Sequence, residues 1–430
     1  MKRLGSITIV ALLALAGALT GCRSSESGSS GTAAAPGVTK EACPNAVDKN
    51  KGCIYLGIIS DLTEGPFRAL AVPITESQKA FWARVNKNGG IGNYEVDVTT
   101  YVKDNKYKPE VHNQVYQEIK GKVLALAQTL GSPTTAAIID DLRANNIVAV
   151  PASWTSAWAF EDVILESGAN YCVESMNALD YAKEKYQSKS VLAIHYAGDY
   201  GADAAAGAKI AAEKLGMTYS HVQTNSGAQN QAAAIQAVIS GKPDLIILTT
   251  GPAETAAIVG NAAAQGYRGR FIGTSPTFNP GLMASPAAQA LTLLYESTAP
   301  WDSWETDTPG HKAMREAIGN PAGGPNNGYT SGWVWSYPLK AALEKAVASG
   351  TLTRESLLAA AKGLTSVDYE GMLPTGAGNY AGGVDGQVKS SAIYKPDAAA
   401  VTKVTQVKEL FIGPTAQSFK LEKPCFQMTL

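Results

Sequence analysis

Short apolar segments alternate with helical patterns along most of this 430-residue chain, and this alternation constrains the fold more than any single motif. In the first half, apolar runs of strand length are separated by segments with a helical stripe of apolar residues. Strands joined through helices in this way form a parallel sheet with helices on both faces. We expect strands at 54–60, 94–102, 123–127 and 147–150, and helices at 73–88, 109–120 and 132–145.

The same alternation begins again near residue 190. It predicts strands at 191–195, 219–223, 244–249 and 271–273, and helices at 203–215, 229–239 and 253–265. Two such arrays predict an α/β protein with two lobes, each built on a doubly wound parallel sheet. After residue 300 the pattern changes to a Pro- and Gly-rich connection, helices at 329–349 and 353–362, and extended segments beyond 367.

The N-terminus has the order of a secretory signal, with Lys2 and Arg3 before an apolar run at 7–19. Leu19-Thr20-Gly21-Cys22 resembles the lipobox of bacterial lipoproteins. That resemblance implies a signal peptide at 1–21 and lipid on Cys22; the alternative is an ordinary signal peptide with a chance cysteine. The Ser-, Gly- and Ala-rich segment that follows cannot bury enough apolar surface to fold. We therefore expect 22–50 to be a disordered tether on the extracytoplasmic face of the cell membrane.

The balance of basic and acidic residues bears on whether the protein binds nucleic acid. The formal net charge is −1, from 36 basic and 37 acidic residues, and no basic cluster stands out. Nucleic-acid binding is therefore disfavoured.

Four cysteines remain besides Cys22, an even number that predicts two disulfides in an oxidising compartment. Four cysteines allow three pairings. We prefer Cys43–Cys53, which are close in sequence, and this leaves Cys172–Cys425. A zinc site is the rival interpretation, but the spacing lacks CxxC and the four histidines are scattered.

Ligands of doubly wound sheets bind beyond the carboxyl ends of the strands, where helix N-termini offer unpaired N–H groups. The strand-to-helix loops here carry hydroxyl groups, small residues and aromatic rings, as small-ligand pockets do. Each has a structural alternative: Ser132 could only cap a helix, Trp154 could be core packing, and Tyr200 could lead into its helix. The candidate loops are 61–72, 131–134, 151–155, 197–201, 250–252 and 274–276.

Catalytic motifs are scarce. The sequence contains no HExxH, Walker A or GxSxG pattern. In residues 328–332 the serine is one place away from its position in the GxSxG nucleophile elbow. Residues 376–381 approach the glycine fingerprint of dinucleotide-binding proteins, but they lack the preceding strand and the following helix that this fingerprint requires. His195, near a strand end, is more often a structural histidine than a base. We therefore expect no enzymatic activity, no cofactor and no metal.

From about Cys53 onward the chain resembles the type I periplasmic-type solute-binding proteins of ABC importers, in the group that binds branched-chain amino acids (Leu/Ile/Val). No single motif identifies this family, but the order and spacing of the motifs together are specific for it. The motifs are Ile58-Ile59-Ser60 leading to Gly65-Pro66, Asn88-Gly89-Gly90-Ile91, Gly131-Ser132-Pro133, Val150-Pro151-Ala152-Ser153, Asp199-Tyr200-Gly201, Gly266-Tyr267 and Tyr329.

The resemblance implies two lobes joined by a three-strand hinge, with the ligand in the cleft between them. Lobe I would comprise 51–171 plus 301–366, and lobe II 172–300 plus 367–430. Matching to the family gives the ligand-binding candidates, in which lobe I supplies hydroxyls and N–H groups to a carboxylate, Tyr200 comes from lobe II and Tyr329 lies near the hinge. They are Ser132 (or Gly131), Ala152, Ser153, Trp154, Tyr200, Ser275 and Tyr329.

Two departures from the family bear on the ligand. Thr274 or Ser275 stands where amino-acid binders have an acidic residue for the ligand ammonium, and Gly251 or Pro252 replaces an aromatic residue. Because a buried ammonium without a carboxylate partner is costly, we expect a ligand without a free α-ammonium group. Two acidic residues are the alternatives as its partner: Glu254, which more plausibly complements the dipole of its helix, and Asp199, next to Tyr200.

The resulting hypothesis is a monomeric, lipid-anchored solute-binding protein that closes about a hinge and delivers its ligand to an ABC permease and its ATPase. The small organic solute would be an amino acid, an aromatic or other organic acid, or an amide. An envelope ligand sensor of the same fold is the alternative, and an extracellular hydrolase is a weaker one, because no nucleophile and base are found together.

Overall fold

The first sheet is built from the N-terminal strands. The computed structural model describes residues 35–427, and strands β2, β3, β4 and β5 run parallel in the order β3-β2-β4-β5, with β1 antiparallel beside the start of β2. Strand β2 is a nearly continuous apolar run because both faces of a parallel sheet are covered. The strands are β1 (Val38–Thr39), β2 (Gly52–Ser60), β3 (Tyr94–Asp104), β4 (Ala125–Leu130) and β5 (Ala149–Ala152).

The helices between these strands cover the sheet. Helix α1 packs on β2 and β3, and α2 packs near the same two strands. The strand order reverses between β2 and β4, so the loops after these strands flank a switch point, where such sheets bind ligands. The helices are α1 (Arg68–Lys87), α2 (Pro109–Ile119), α3 (Ser132–Ala136) and α4 (Ile139–Ala144).

A second parallel array follows. Its strands lie in the order β10-β9-β8-β6-β7, with a second switch point between β6 and β8. The elements, in chain order, are α5 (Tyr171–Tyr186), β6 (Ser190–Tyr196), α6 (Asp199–Leu215), β7 (Thr218–Thr224), α7 (Ala232–Gly241), β8 (Leu245–Thr249), α8 (Pro252–Ala264), β9 (Arg270–Gly273), α9 (Ala288–Leu294) and β10 (Tyr295–Ala299).

The rest of the chain returns to the first sheet and then to the second. Helices α10 (Pro309–Ile318) and α11 (Asn327–Ala348) pack on α1, and α12 (Arg354–Lys362) packs on α11. Strands β11 (Ser391–Pro396) and β12 (Val404–Phe411) then extend the second sheet antiparallel beside β10, before α13 (Pro414–Ser418) packs on α5. Three connections therefore join the two halves: β5 to α5, β10 to α10, and α12 to β11.

Most predicted elements are present, but several boundaries differ, and some elements, among them α5, α9 and β10, were not predicted. Helix α1 begins at Arg68, not at Pro73, and the single helix predicted for 132–145 is two short helices, α3 and α4. Helix α5 was missed because every residue from Tyr171 to Ala182 is buried, which leaves no amphipathic stripe to detect.

The predicted tether is too long. Residues 35–50 are folded: β1 pairs with β2, and the Glu95 carboxylate accepts hydrogen bonds from the N–H groups of Val47 and Asp48 at 2.8 and 2.7 Å. Cys43–Cys53 adds a covalent link, and the second disulfide is Cys172–Cys425, the pairing preferred above. The predicted signal peptide, Cys22 and the tether as far as residue 34 lie outside the described residues. Within residues 35–427, no helix combines the length and apolarity needed to cross a membrane.

Candidate functional site

A cavity lies between the two sheets, at the carboxyl ends of their strands. Gly131 and Ser132 follow β4, and Trp154 follows β5, on the side of the first sheet. Tyr200, in the first turn of α6, and Ser275, after β9, line it from the second sheet. Both halves of the molecule therefore contribute walls to one cavity.

Aromatic rings form the inner wall. The Trp154 ring lies 4.6 Å from the ring of Trp335, 5.2 Å from Trp301 and 5.7 Å from Tyr171, measured between centroids. Trp154 Nε1 donates a hydrogen bond to the carbonyl of Ser167 at 2.8 Å, so its polar atom is already satisfied. This wall therefore offers a ligand apolar ring surface together with the indole N–H groups of Trp301 and Trp335, which have no partner among the described residues.

A second aromatic cluster closes the outer side. Phe67, from the loop after β2, lies 4.8 Å from Tyr107 and, across the cleft, 5.9 Å from Tyr200 and 6.3 Å from Tyr196. The Nδ2 of Asn279, from the second half, donates to the carbonyl of Ala69 in α1 at 3.1 Å. The two halves thus touch in front of the cavity.

Tyr107 reaches the cavity through a left-handed turn after β3. Lys106 and Tyr107 have φ values of 52° and 56°, which non-glycine residues adopt only when their surroundings hold them there. The buried Asn105 does so: its Oδ1 accepts from the N–H of Tyr107 at 2.8 Å, and its Nδ2 donates to the carbonyl of Leu130 at 2.9 Å.

His112 supports the same turn as a neutral ring. Asn105 Nδ2 lies 3.0 Å from His112 Nδ1, which must accept this bond, so the ring proton is assigned to Nε2, 3.0 Å from Thr129 Oγ1. Burial lowers the pKa of His112 to about 3. The turn that presents Tyr107 therefore keeps its hydrogen bonds across the physiological pH range.

Four polar atoms of the residues that line the cavity have no hydrogen-bond partner among the described residues: Ser132 Oγ, Asn327 Oδ1, Trp301 Nε1 and Trp335 Nε1. All four atoms are buried, so each carries a desolvation cost that a ligand could offset. Ser153 Oγ, in contrast, accepts from Trp158 Nε1 at 3.0 Å. Among the described residues that line the cavity, none is charged.

One carboxyl group lies directly behind the wall. Glu174, in α5, is 1% exposed, and its Oε1 accepts from the N–H of Ser275 at 2.8 Å and from Thr298 Oγ1. Burial raises the pKa of Glu174 to about 7, and these two hydrogen bonds offset part of the rise. Glu254, in the first turn of α8, does not line the cavity; its Oε1 accepts from the N–H of Gly227.

The structure brings together all of the predicted ligand-binding residues except Tyr329. Ser132, Ala152, Ser153, Trp154, Tyr200 and Ser275 line the cavity. Tyr329 packs on Trp304 instead, with 5.9 Å between centroids, because it lies about 200° around α11 from Asn327 whereas Ser331 and Trp335 share the Asn327 face. Ser132 is the first residue of α3, whose N-cap is Gly131, so it does not cap the helix.

Sequence reasoning missed several wall residues. Tyr107 follows the end of β3, a strand-to-helix loop that belonged with the candidate loops, so the available signal was overlooked. Asn327, Trp335 and Trp301 lie outside the two arrays, where no strand end points to them.

Comparisons with known proteins agree on the fold. Residues 54–394 match the model of a protein family described as "Periplasmic binding protein". No curated protein matches the sequence significantly. Among solved structures, a fatty acid ABC transporter substrate-binding protein from Thermomonospora curvata shares 27% identity with a TM-score of 0.82, over 90% of this chain and 96% of that one.

Two more distant structures show the same fold. A branched-chain amino acid ABC transporter protein from Thermus thermophilus with bound valine has 16% identity and a TM-score of 0.71, over 85% of this chain and 98% of that one. A solute-binding protein of an R. palustris ABC transporter, in complex with 4-hydroxybenzoate, has 17% identity and a TM-score of 0.69, over 84% and 98%.

Proposed function

Because the chain belongs to the periplasmic binding protein family, the solute-binding components of ABC importers, we propose that it captures a predominantly apolar organic acid or amide and delivers it to a membrane permease and its ATPase. The observation that carries the ligand class is the composition of the cavity wall. Rings of Trp154, Trp301 and Trp335 line it, and the unsatisfied polar atoms of its described lining residues are a serine hydroxyl, an amide oxygen and the indole N–H groups of Trp301 and Trp335, which could donate to an acid or an amide.

The same wall argues against an amino acid. An α-ammonium group requires an acceptor with negative charge, and no acidic residue lines the described cavity. Glu174 is the nearest candidate behind Ser275, but its raised pKa leaves it without a full negative charge at neutral pH. The solved relative at 27% identity is named for fatty acids, and a more distant one holds 4-hydroxybenzoate, which is the chemistry that apolar walls favour.

Capture would proceed by hinge closure. We assign 51–171 plus 301–366 to lobe I and 172–300 plus 367–430 to lobe II, with the three connections as the hinge. The contacts of Phe67 with Tyr196 and Tyr200, and of Asn279 with Ala69, join the lobes in front of the cavity, so this arrangement corresponds to the closed state. A ligand that touches both lobes stabilises that state and shifts the population toward it.

The protein would work as a monomer outside the cytoplasm, by binding alone and without catalysis. Its anchor would be a lipid on Cys22, after removal of a signal peptide at 1–21. Replacing Cys22 with Ser should release the protein from the membrane fraction and abolish lipid labelling. Retention of a labelled, membrane-bound protein in that variant would contradict the anchor.

A thermal-shift and calorimetry screen tests the ligand class. The soluble domain from residue 35 onward is expected to bind fatty or aromatic carboxylic acids and amides, and not leucine, isoleucine or valine. Trp154→Ala should then weaken binding by about 1–3 kcal/mol, the scale of one buried apolar side chain. Tight binding of a branched-chain amino acid, lost in Glu174→Gln, would overturn the proposal and identify the ammonium partner.

A further inference from the structure

Two tryptophan N–H groups at the inner wall of the cavity have no acceptor within the described chain. Trp301 and Trp335 are each 1% exposed, and neither indole Nε1 has a hydrogen-bond partner among residues 35–427. Their ring centroids lie 6.0 Å apart, and both rings also contact Trp154. Because a buried indole N–H normally donates to an acceptor, these two groups indicate that a ligand in the cavity supplies one.

The other polar groups of this wall differ in what they offer. Trp154 Nε1 donates to the carbonyl of Ser167, so Trp154 presents ring surface alone. The hydroxyl of Ser132 is fully buried and unpartnered in the described chain, and it adds a third donor to the cavity wall. A ligand must therefore bring acceptor oxygens to these donors.

One unpartnered acceptor also lines the cavity, Asn327 Oδ1. Asn327 precedes Trp335 by eight residues of α11, about 12 Å along the helix axis, so the two side chains are not expected to bind the same ligand atom. A carboxylate brings acceptors only, whereas an amide brings a carbonyl oxygen and N–H donors in one molecule. This mixture of donors and an acceptor therefore favours an amide over an acid.

The charge of the wall separates the two classes further. No Lys, Arg or His stands among the described lining residues to neutralise a carboxylate. The N-terminus of α11 does not replace such a cation, because Asn326 already accepts from two of its first N–H groups, those of Gly328 at 2.9 Å and Tyr329 at 3.1 Å. Burying a charged carboxylate without a partner is far more costly than burying a neutral amide.

The carboxyl group behind Ser275 acts in the same direction. Burial raises the pKa of Glu174 to about 7, so this group gains negative charge as the pH rises through neutrality. A carboxylic acid is already ionised in that range, so Glu174 repels it and does not repel an amide.

We propose that, within the class of apolar acids and amides assigned above, the cavity selects the amide, whose carbonyl oxygen accepts from the indole N–H groups of Trp301 and Trp335. This inference rests on the proposed function and adds the residues that recognise the polar group of the ligand. The rings of the three tryptophans pack on its apolar part.

Calorimetry with two matched pairs tests the selection. Benzamide is compared with benzoate, and hexanamide with hexanoate, at pH 8, where both acids are ionised. The two members of a pair have nearly the same shape and differ in charge and in N–H donors. At least one amide should bind, and the corresponding acid should bind at least tenfold more weakly.

Phenylalanine variants test the two donors. Trp301→Phe and Trp335→Phe keep an aromatic ring but remove the N–H group, so each should weaken binding of the amide about fivefold, the loss of one neutral hydrogen bond. Trp82→Phe is the matched control and should leave the affinity unchanged. Trp82 is equally buried, and its Nε1 is also unpartnered in the described chain, but it does not line the cavity.

A second comparison separates hydrogen bonding from packing. Benzene and pentane, which are the two amides without their head group, should lose little affinity in the Phe variants, whereas a loss of packing would weaken hydrocarbon and amide equally. Circular dichroism and thermal unfolding verify that both variants are folded.

Four results would overturn the proposal: no binding of either amide, an acid that binds as tightly as its amide, wild-type amide affinity in both folded Phe variants, or equal losses for the amide and its hydrocarbon. The second result leaves the proposed function intact, because acids belong to the ligand class proposed there. Failure of the proposed function appears instead as tight binding of a branched-chain amino acid in the wider screen.

Discussion

Ser132 and Ser175 are both fully buried serines whose hydroxyls have no partner among the described residues, but only Ser132 lines the cavity. We expect Ser132→Ala to weaken ligand binding by about 1 kcal/mol, roughly fivefold, because a hydrogen bond to the ligand is lost. Ser175→Ala, the matched control, should leave affinity unchanged. Isothermal titration with the acid or amide found in the screen measures both; equal affinities for wild type and Ser132→Ala would remove Ser132 from the site.

Glu174 should make stability depend on pH in a defined direction. Its pKa is raised to about 7 in the folded protein, from an ordinary value of 4.5. Below pH 4.5 the group is protonated in both states and costs nothing; above pH 7 the folded state bears the full cost, on the order of 3 kcal/mol. Stability is therefore lost as pH rises from about 4.5 to 7.

Glu174→Gln removes this titration. Urea denaturation at pH 4, 5.5 and 8 should show the variant gaining stability relative to wild type as pH rises. Ser175→Ala, one residue further along the same helix, should keep the wild-type pH dependence. A stability difference between Glu174→Gln and wild type that stays constant with pH would contradict the assignment.

For single residues of the candidate site, the sequence predicted mainly those that lie at the ends of strands. Trp154 and Tyr200 were found because each follows a recognisable strand. Glu174 was not found, since it lies inside a fully buried helix and reaches Ser275 only through the tertiary fold. Tyr329 was wrong as a wall residue because a helix start identifies the element but not which face turns inward.

At the scale of elements, small residues allow helices α1 and α11 to approach closely. A Cβ on Gly332 would lie 2.4 Å from the carbonyl oxygen of Ile74, and one on Gly328 would lie 2.9 Å from Pro73 Cβ. The Gly-Tyr-Thr-Ser-Gly segment that is one place away from a nucleophile elbow is therefore a packing surface. It also places Asn327 and Ser331 at the cavity.

Gly332→Ala should accordingly destabilise the protein by about 1–3 kcal/mol, since the backbone of α1 would have to move. Gly121→Ala is the matched control: no atom lies within 4 Å of the added methyl group, so stability should hardly change. Chemical denaturation of both variants compares the two. Equal stabilities of Gly332→Ala and Gly121→Ala would mean that α1 and α11 can move apart without a loss of folding free energy.

Element boundaries depended on partners that the sequence does not reveal. Pro73 suits the first position of a helix, yet α1 extends five residues before it. The proline leaves the carbonyl of Ala69 without its helical donor, and Asn279 supplies one from more than two hundred residues away. Alternation of strands and helices, in contrast, depends on local periodicity, and both parallel arrays were predicted from it.

For the molecule as a whole, Cys172–Cys425 ties the C-terminal segment to α5. The same segment donates the N–H of Cys425 to Ser156 Oγ at 2.8 Å, and Ser156 in turn bonds Asp203 of α6. The disulfide spans a sequence separation of 253, so chain entropy predicts a stabilisation of up to about 5 kcal/mol. Cys43–Cys53, with a separation of 10, is expected to contribute about 3 kcal/mol.

The paired variants Cys172→Ser/Cys425→Ser and Cys43→Ser/Cys53→Ser test this difference. Guanidinium denaturation without reductant should show the larger loss for the first pair. A larger loss for the second pair would mean that local strain or residual structure, not loop length, decides the contribution.

If the chain is exported through the signal peptide proposed above, the unequal spans of the two disulfides would also set an order for maturation. A chain threaded across a membrane from its N-terminus delivers Cys43 and Cys53 together, ahead of Cys172 and long before Cys425. Since closure of a short loop is fast, these two thiols are consumed while Cys172 still has no native partner. Cys425, the last of these four cysteines to emerge, would then find only Cys172 unpaired among them, so the order of export would give the correct pairing without disulfide exchange.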